Sequence, residues 1–102
     1  MLLMKYAYLL LFSYFCLKLR HPNIIAYKEA FFEDSTSSLC IVMEFADGGD
    51  LLERINGHKK RKTMFTEQEL WRIFIQLVSG LNALHERKIF HRDMKVSLVS
   101  NR

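Results

Sequence analysis

Near the end of the chain stand His91-Arg92-Asp93 and, two residues on, Lys95. An alcohol attacks a phosphoryl group poorly unless its proton has somewhere to go, and a carboxylate at hydrogen-bond distance provides that place. A cation beside it offsets charge on the transferring phosphoryl oxygens. Asp93 and Lys95 lie two apart on an expected loop, so both can face one site. These residue types suit transfer of a phosphoryl group to an alcohol. A string this short also arises by chance, so the elements around it decide its weight.

The element that must deliver this loop is a long helix. Thr66 is placed as N-cap, and Glu69 three residues later completes a capping box. Phe65 and Leu70 are spaced for a hydrophobic staple. Leu70, Ile73, Phe74, Leu77, Leu81 and Leu84 recur at helical spacing. From Glu67 to about Glu86 such a helix is ~30 Å long. Its wide apolar face needs a partner surface, against which Leu70, Phe74, Leu77 and Leu81 are expected to be the most buried. Upstream, Asp50 and Glu53 predict a second, shorter capped helix from Leu51. A basic loop, Lys59-Lys60-Arg61-Lys62, is expected between the two; a nuclear signal is its less favoured reading. Further upstream, "IIAYKEAFF" and "SLCIVMEF" are rich in β-branched and aromatic residues. The polar cluster "EDSTSS" between them predicts an antiparallel hairpin at about residues 25 to 45.

The bulk numbers set few further limits. The chain has 102 residues, half of them apolar and 13% aromatic, which suffices for a core. A formal charge of +4 does not demand nucleic acid, because the basic residues do not interleave with aromatics in a strip. Cys16 and Cys40 lie in apolar runs without metal-ligand spacing and read as buried free thiols of a reducing compartment. His21, His58 and His85 show no metal spacing and read as structural or exposed. Met1 to Leu19 is strongly apolar, but its apolar run falls short of the ~20 residues that span a bilayer, and no small-residue cleavage site follows it. It reads as a buried helix or strand, with a membrane anchor or a spuriously translated stretch as alternatives.

The motifs stand in a telling order. "LRHPNIIAYKEAFFED" is similar to the end of the regulatory helix and the fourth strand of eukaryotic protein kinases. "LCIVMEFADGGDLLERI" resembles the kinase hinge, a strand running into Gly-Gly and a capped helix. "LHERKIFHRD" resembles the helix that leads into the catalytic loop. The resemblance runs from His21 to Lys95. "GGDLLERIN" and "FTEQELWRIFIQLVSGLNALHERKIFHRDMK" look most like the NIMA-related serine/threonine kinases. The implied fold class is α+β: the hairpin and hinge of a small lobe plus the first helices of a large lobe. Residues 20–102 are the expected partial kinase domain, and 1–19 stand apart.

The resemblance implies roles residue by residue. Asp93 matches the catalytic base, and Lys95 the lysine that favours serine or threonine substrates. Met43 matches the gatekeeper behind the adenine pocket. Glu44 and Ala46 match hinge positions whose backbone carbonyl and N–H bond the adenine edge. Asp50 matches the position that reaches the ribose hydroxyls, and Gly48 and Gly49 let the backbone turn close to the nucleotide. Arg92 matches the arginine that pairs with an activation-loop phosphate, and His91 a scaffold position. Taken singly, Met43 reads as core and Asp50 as a helix cap; the order of the motifs carries the assignment. The implied cofactors are ATP and Mg2+, and the implied partner is a protein substrate. No nucleic acid is expected, and a membrane only through Met1 to Leu19. The expected location is the cytoplasm, with nucleus and cytoskeleton as alternatives.

Departures from the family pattern bear on activity. No Gly-rich phosphate loop and no lysine strand precede His21, and residues 1 to 28 contain no acidic residue. The metal-binding asparagine belongs five residues past Asp93, where this chain has Leu98; Asn101 comes three residues later. No Asp-Phe-Gly follows. Phosphoryl transfer rests mainly on positioning and electrostatic stabilisation, and a general base alone gives roughly 10²–10⁴-fold. The 102-residue chain alone is therefore expected to be inactive. Val96-Ser97 can be encoded by GTAAGT, the usual start of an intron, so a fragmentary or mispredicted gene product is one expectation for the ending. A non-catalytic kinase-like binding module is the alternative function.

Overall fold

The computed structural model describes residues 18–100, and the chain divides into two compact units between Phe45 and Ala46. The fold is α+β, and each unit is built from its own sequence signals.

In the first unit, β1 (Tyr27–Glu33) pairs antiparallel with β2 (Ser38–Met43). The polar cluster expected as the turn is shorter in fact, because Glu33 and Ser38 already face each other as a ladder pair. Asp34 to Ser37 make the turn. Ser37 takes a left-handed backbone at φ 51°, and its N–H donates to the Asp34 carbonyl. Thr36 Oγ1 donates to Glu33 Oε2 at 2.8 Å, a local bond that short polar side chains favour in turns. Tyr27 pairs with Met43 but Glu29 with Val42, so Lys28 is the extra residue of a β-bulge. Cys40, opposite Phe31, is a free thiol that is half-buried rather than buried, since neither face of a two-stranded ribbon is fully covered. Cys16 lies outside the described residues, as does most of the apolar segment; of its described end, Leu19 is buried at 2% exposure.

The second unit carries both helices. The short helix spans Leu51–Arg61 and the long helix Glu67–Glu86. Both begin with the expected capping box: Asp50 with Glu53, and Thr66 with Glu69. Each such cap is worth about 1 kcal/mol. Phe65, the residue spaced to staple against Leu70, meets the tilted His58 ring at 4.2 Å between centroids and lies under the Arg54 guanidinium at 5.3 Å.

The basic run is not a loop. Lys59, Lys60 and Arg61 form the last turn of the short helix, and Lys62 caps it in the left-handed region at φ 53°. Cations in this position complement the negative end of the helix dipole. The long helix ends the same way, with Lys88 at φ 58°. In both, the left-handed residue and its successor return two hydrogen bonds to the last turn: Lys62 to Lys59 and Thr63 to His58, Lys88 to His85 and Ile89 to Leu84. This is the Schellman pattern, here built on lysine where glycine is usual.

Burial along the long helix follows what packs on it among the described residues, without the partner surface that the expectation for Leu70, Phe74, Leu77 and Leu81 requires. Its buried residues are Gly80, Ala83 and Leu84. Leu70 and Phe74 are 52% and 56% exposed, and Leu77 and Leu81 are half-buried. The apolar stripe is continuous, but no described element covers its N-terminal half. No helix among the described residues is long and apolar enough to cross a membrane.

Candidate functional site

The long helix sets up the chemistry-bearing loop through its end. After the Schellman turn at Lys88, Ile89 points the chain away, and His85 and Phe90 rings approach to 5.3 Å. His91, Arg92 and Asp93 then follow as irregular backbone. The Asp93 N–H donates to His91 Nδ1 at 3.2 Å, and Arg92 between them sits in the left-handed region at φ 63°. An L-residue there costs roughly 1–2 kcal/mol, which the His91 ring bond helps to offset. His91 is half-buried and acts on Asp93 through its backbone.

Asp93 and Lys95 meet. Lys95 Nζ lies 3.5 Å from Asp93 Oδ2, with the two side chains 55% and 72% exposed. An exposed pair of this kind adds little stability, so its geometry is available to chemistry rather than needed for folding. It places an acceptor for a proton and a cation within one hydrogen-bonding radius. Arg92 is exposed.

Beyond Lys95, Val96–Leu98 form a single 3-10 turn. The chain then returns to the start of the short helix: the Leu51 N–H donates to the Val99 carbonyl at 2.8 Å, and Asp50 and Ser100 form an isolated bridge. This closure anchors the loop carrying Asp93 against the helix that begins at Asp50. Sequence reasoning missed it, because a single long-range backbone bond leaves no side-chain signature.

At Asp50, Oδ1 accepts from the Glu53 N–H at 2.8 Å, while Glu53 Oε2 accepts from the Asp50 N–H at 3.2 Å. The capping role of Asp50 is thus plain; it leaves Oδ2 without a hydrogen bond among the described residues. Gly49 adopts φ 72°, and a Cβ on it would collide with the Glu53 carboxylate. Gly49 is therefore required for the cap itself. Ala46, half-buried, has its N–H unengaged among the described residues.

In the first unit, Met43 ends β2 opposite Tyr27 and is 46% exposed. The Glu44 N–H donates to the Ala26 carbonyl at 2.7 Å, and the Glu44 carboxylate accepts the Ala26 N–H at 3.1 Å. Glu44 thus closes the open end of the hairpin with backbone and side chain together.

No group of three or more His, Cys, Asp or Glu among the described residues could hold a metal ion. Leu98, on the 3-10 turn, offers no donor at the position where the family pattern has an asparagine. The described residues therefore form no protein cage for Mg2+.

The electrostatic anchor of the second unit lies apart from this loop. Glu69 accepts from the Thr66 N–H at 2.8 Å and from the Thr66 hydroxyl at 2.9 Å, and faces Arg54 at 3.6 Å. The Thr66 N–H, then the Thr66 hydroxyl, hold its carboxyl below the usual range; Arg54 and His58 add to this and slight burial opposes it.

Comparison with known proteins gives a consistent result. The protein kinase domain family matches residues 13–99. The chain is 45% identical over 78 residues to the serine/threonine-protein kinase Nek3 of Mus musculus, covering 76% of this chain and 14% of that protein. It is 46% identical over 82 residues to Nek5 of Homo sapiens, covering 80% of this chain and 11% of the relative. It is 46% identical over 77 residues to Nek1 of Mus musculus, covering 76% and 6%. Among solved structures, Rad53 1-466 in complex with AMP-PNP superposes with a TM-score of 0.73 at 30% identity, over 83% of this chain and 21% of that one. The chain thus spans less than a fifth of the length of these curated relatives.

Proposed function

Since the chain belongs to the protein kinase family and its relatives are NIMA-related serine/threonine kinases, we propose that it is the hinge-to-catalytic-loop segment of such a kinase, transferring phosphate from ATP to protein serine or threonine. The observation that carries this is identity of 45–46% to Nek kinases over three quarters or more of the chain. In this reading Asp93 accepts the proton of the substrate hydroxyl, and Lys95, 3.5 Å away, offsets charge on the transferring group. His91 orients Asp93 by accepting its N–H. Arg92 is held ready for an anionic partner such as an activation-loop phosphate. By the resemblance, Glu44 and Ala46 are the hinge positions for the adenine edge, Met43 is the gatekeeper and Asp50 the position for the ribose hydroxyls. ATP supplies the phosphoryl group; the superposition on an AMP-PNP complex supports a nucleotide as ligand.

Residues 20–102 form the kinase part of the chain in this reading. The family match reaches back to residue 13. The polypeptide of residues 1–102 holds no phosphate-gripping lysine strand and no metal-binding asparagine at position 98. It should transfer no measurable phosphate by itself. A complete NIMA-related kinase domain carrying residues 21–95 of this chain should phosphorylate serine or threonine in a generic basic protein, and lose that activity on Asp93→Asn. Activity untouched by Asp93→Asn would remove the assignment. Leu98 in place of a metal ligand favours a second reading, a non-catalytic kinase-like docking module. Leu98→Asn in a complete domain bearing residues 21–100 separates the two. Turnover with Leu98 in place supports the kinase, whereas turnover gained only on Leu98→Asn supports the module.

A further inference from the structure

The basic run at the end of the short helix is not used by the site above, and it leads straight into an exposed hydroxyl. Lys60, Arg61 and Lys62 immediately precede Thr63, which is exposed and lies outside both helices. The left-handed Lys62 ends the helix one residue before it. Met64, next after Thr63, is 88% exposed. We propose that Thr63 is a phosphorylation site for a second, basic-directed serine/threonine kinase.

The chemistry of recognition follows from this layout. A modifying enzyme with an acidic peptide-binding surface gains charge-assisted contacts from Lys60 and Arg61, three and two residues before the acceptor. Met64 supplies an apolar side chain just after it. The acceptor sits where the chain has left the helix, and the final helical turn that holds Lys60 and Arg61 is the part that frays most readily. The step itself balances with ATP as co-reactant. The Thr63 Oγ1–phosphorus bond forms as the bond from γ-phosphorus to the bridging oxygen breaks. ADP leaves, and the hydroxyl proton passes to the modifying enzyme's carboxylate.

The product has a prepared environment. Thr63 Oγ1 lies 2.8 Å from His58 Nδ1, and the His58 ring is fixed by stacking on Phe65 at 4.2 Å. A phosphate on Oγ1 brings roughly −1.5 to −2 charges beside His58, Lys59, Lys60, Arg61 and Lys62. The helix C-terminus alone would repel it with a partial charge of about −0.5. The four lysine and arginine cations outweigh that term.

The test uses the 102-residue chain, Mg-ATP and the catalytic subunit of the cyclic-AMP-dependent protein kinase, with phosphate located by tandem mass spectrometry. Expected is incorporation at Thr63 in the folded chain, lost in Thr63→Ala and kept in Thr63→Ser. Lys60→Ala with Arg61→Ala should slow it about tenfold or more, as loss of charge-assisted contacts implies. No phosphate at Thr63 while a control peptide is modified would overturn the proposal. So would incorporation indifferent to Lys60 and Arg61, or incorporation seen only after unfolding in urea.

Discussion

The Asp93 carboxylate and the Lys95 ammonium face each other at 3.5 Å across a single intervening residue, Met94. Because both are exposed, replacing either should cost turnover and little stability. In a complete kinase domain carrying this segment, Asp93→Asn should lower kcat by roughly 10²–10⁴-fold and leave nucleotide affinity nearly unchanged. Lys95→Ala should also lower kcat. Steady-state kinetics with varied ATP check both, and a loss confined to KM would contradict the roles given.

Glu69 predicts a direction for pH dependence. Its carboxyl is held below the ordinary value, first by the Thr66 N–H and then by the Thr66 hydroxyl. A carboxyl with a lowered folded value contributes stability that is present above its unfolded value and lost as pH falls through the folded one. The Tm of the chain should therefore fall as the pH drops below the ordinary carboxylate range. Glu69→Gln should lower Tm near neutrality and flatten that part of the profile. An unchanged acid limb in Glu69→Gln would show that the stability lies elsewhere.

The lysines at the two helix ends predict stabilisation by glycine. A left-handed backbone costs an L-residue roughly 1–2 kcal/mol, and glycine's extra unfolded freedom returns about 0.5–1 of it. Lys62→Gly and Lys88→Gly should each stabilise by about 0.5 kcal/mol. Urea unfolding measures this through the midpoint, with an unchanged slope as control. Destabilisation by either would mean that the lysine charge at the helix end outweighs backbone strain.

The exposed stripe of the long helix predicts association. Leu70, Trp71, Phe74 and Ile75 are all more than half exposed, and contiguous apolar surface of this kind seeks a partner. The isolated chain should scatter light in a concentration-dependent way. Phe74→Glu with Ile75→Glu should raise the concentration at which this begins. A monodisperse monomer in the unmodified chain would refute it.

Local signals were the legible ones. Both capping boxes could be read because the partners lie three residues apart, and the start of each helix follows from them. The end of the short helix was harder to read, since its cap is Lys62 rather than glycine and the basic run that marks its last turn also suits a loop. Leu70 and Phe74 mark a face that periodicity names without saying what covers it. The motif order pointed to the family, but the bond from Leu51 to Val99 is long-range and leaves no trace in residue type.

One feature of the hairpin governs how faithfully it is spelled. Its strands are a poor template for their own alignment: most of β1 is exposed on both sides, so a slip by one residue would exchange one wet surface for another. Glu44 removes that ambiguity, because it grips Ala26 at the carbonyl with its backbone and at the N–H with its side chain. Any shifted alignment breaks both grips at once. The proofreading of the strand pair thus resides in one residue at its mouth, and Glu44→Ala, which removes the side-chain grip and keeps the backbone one, should let neighbouring alignments become detectable as weak second amide resonances along β1.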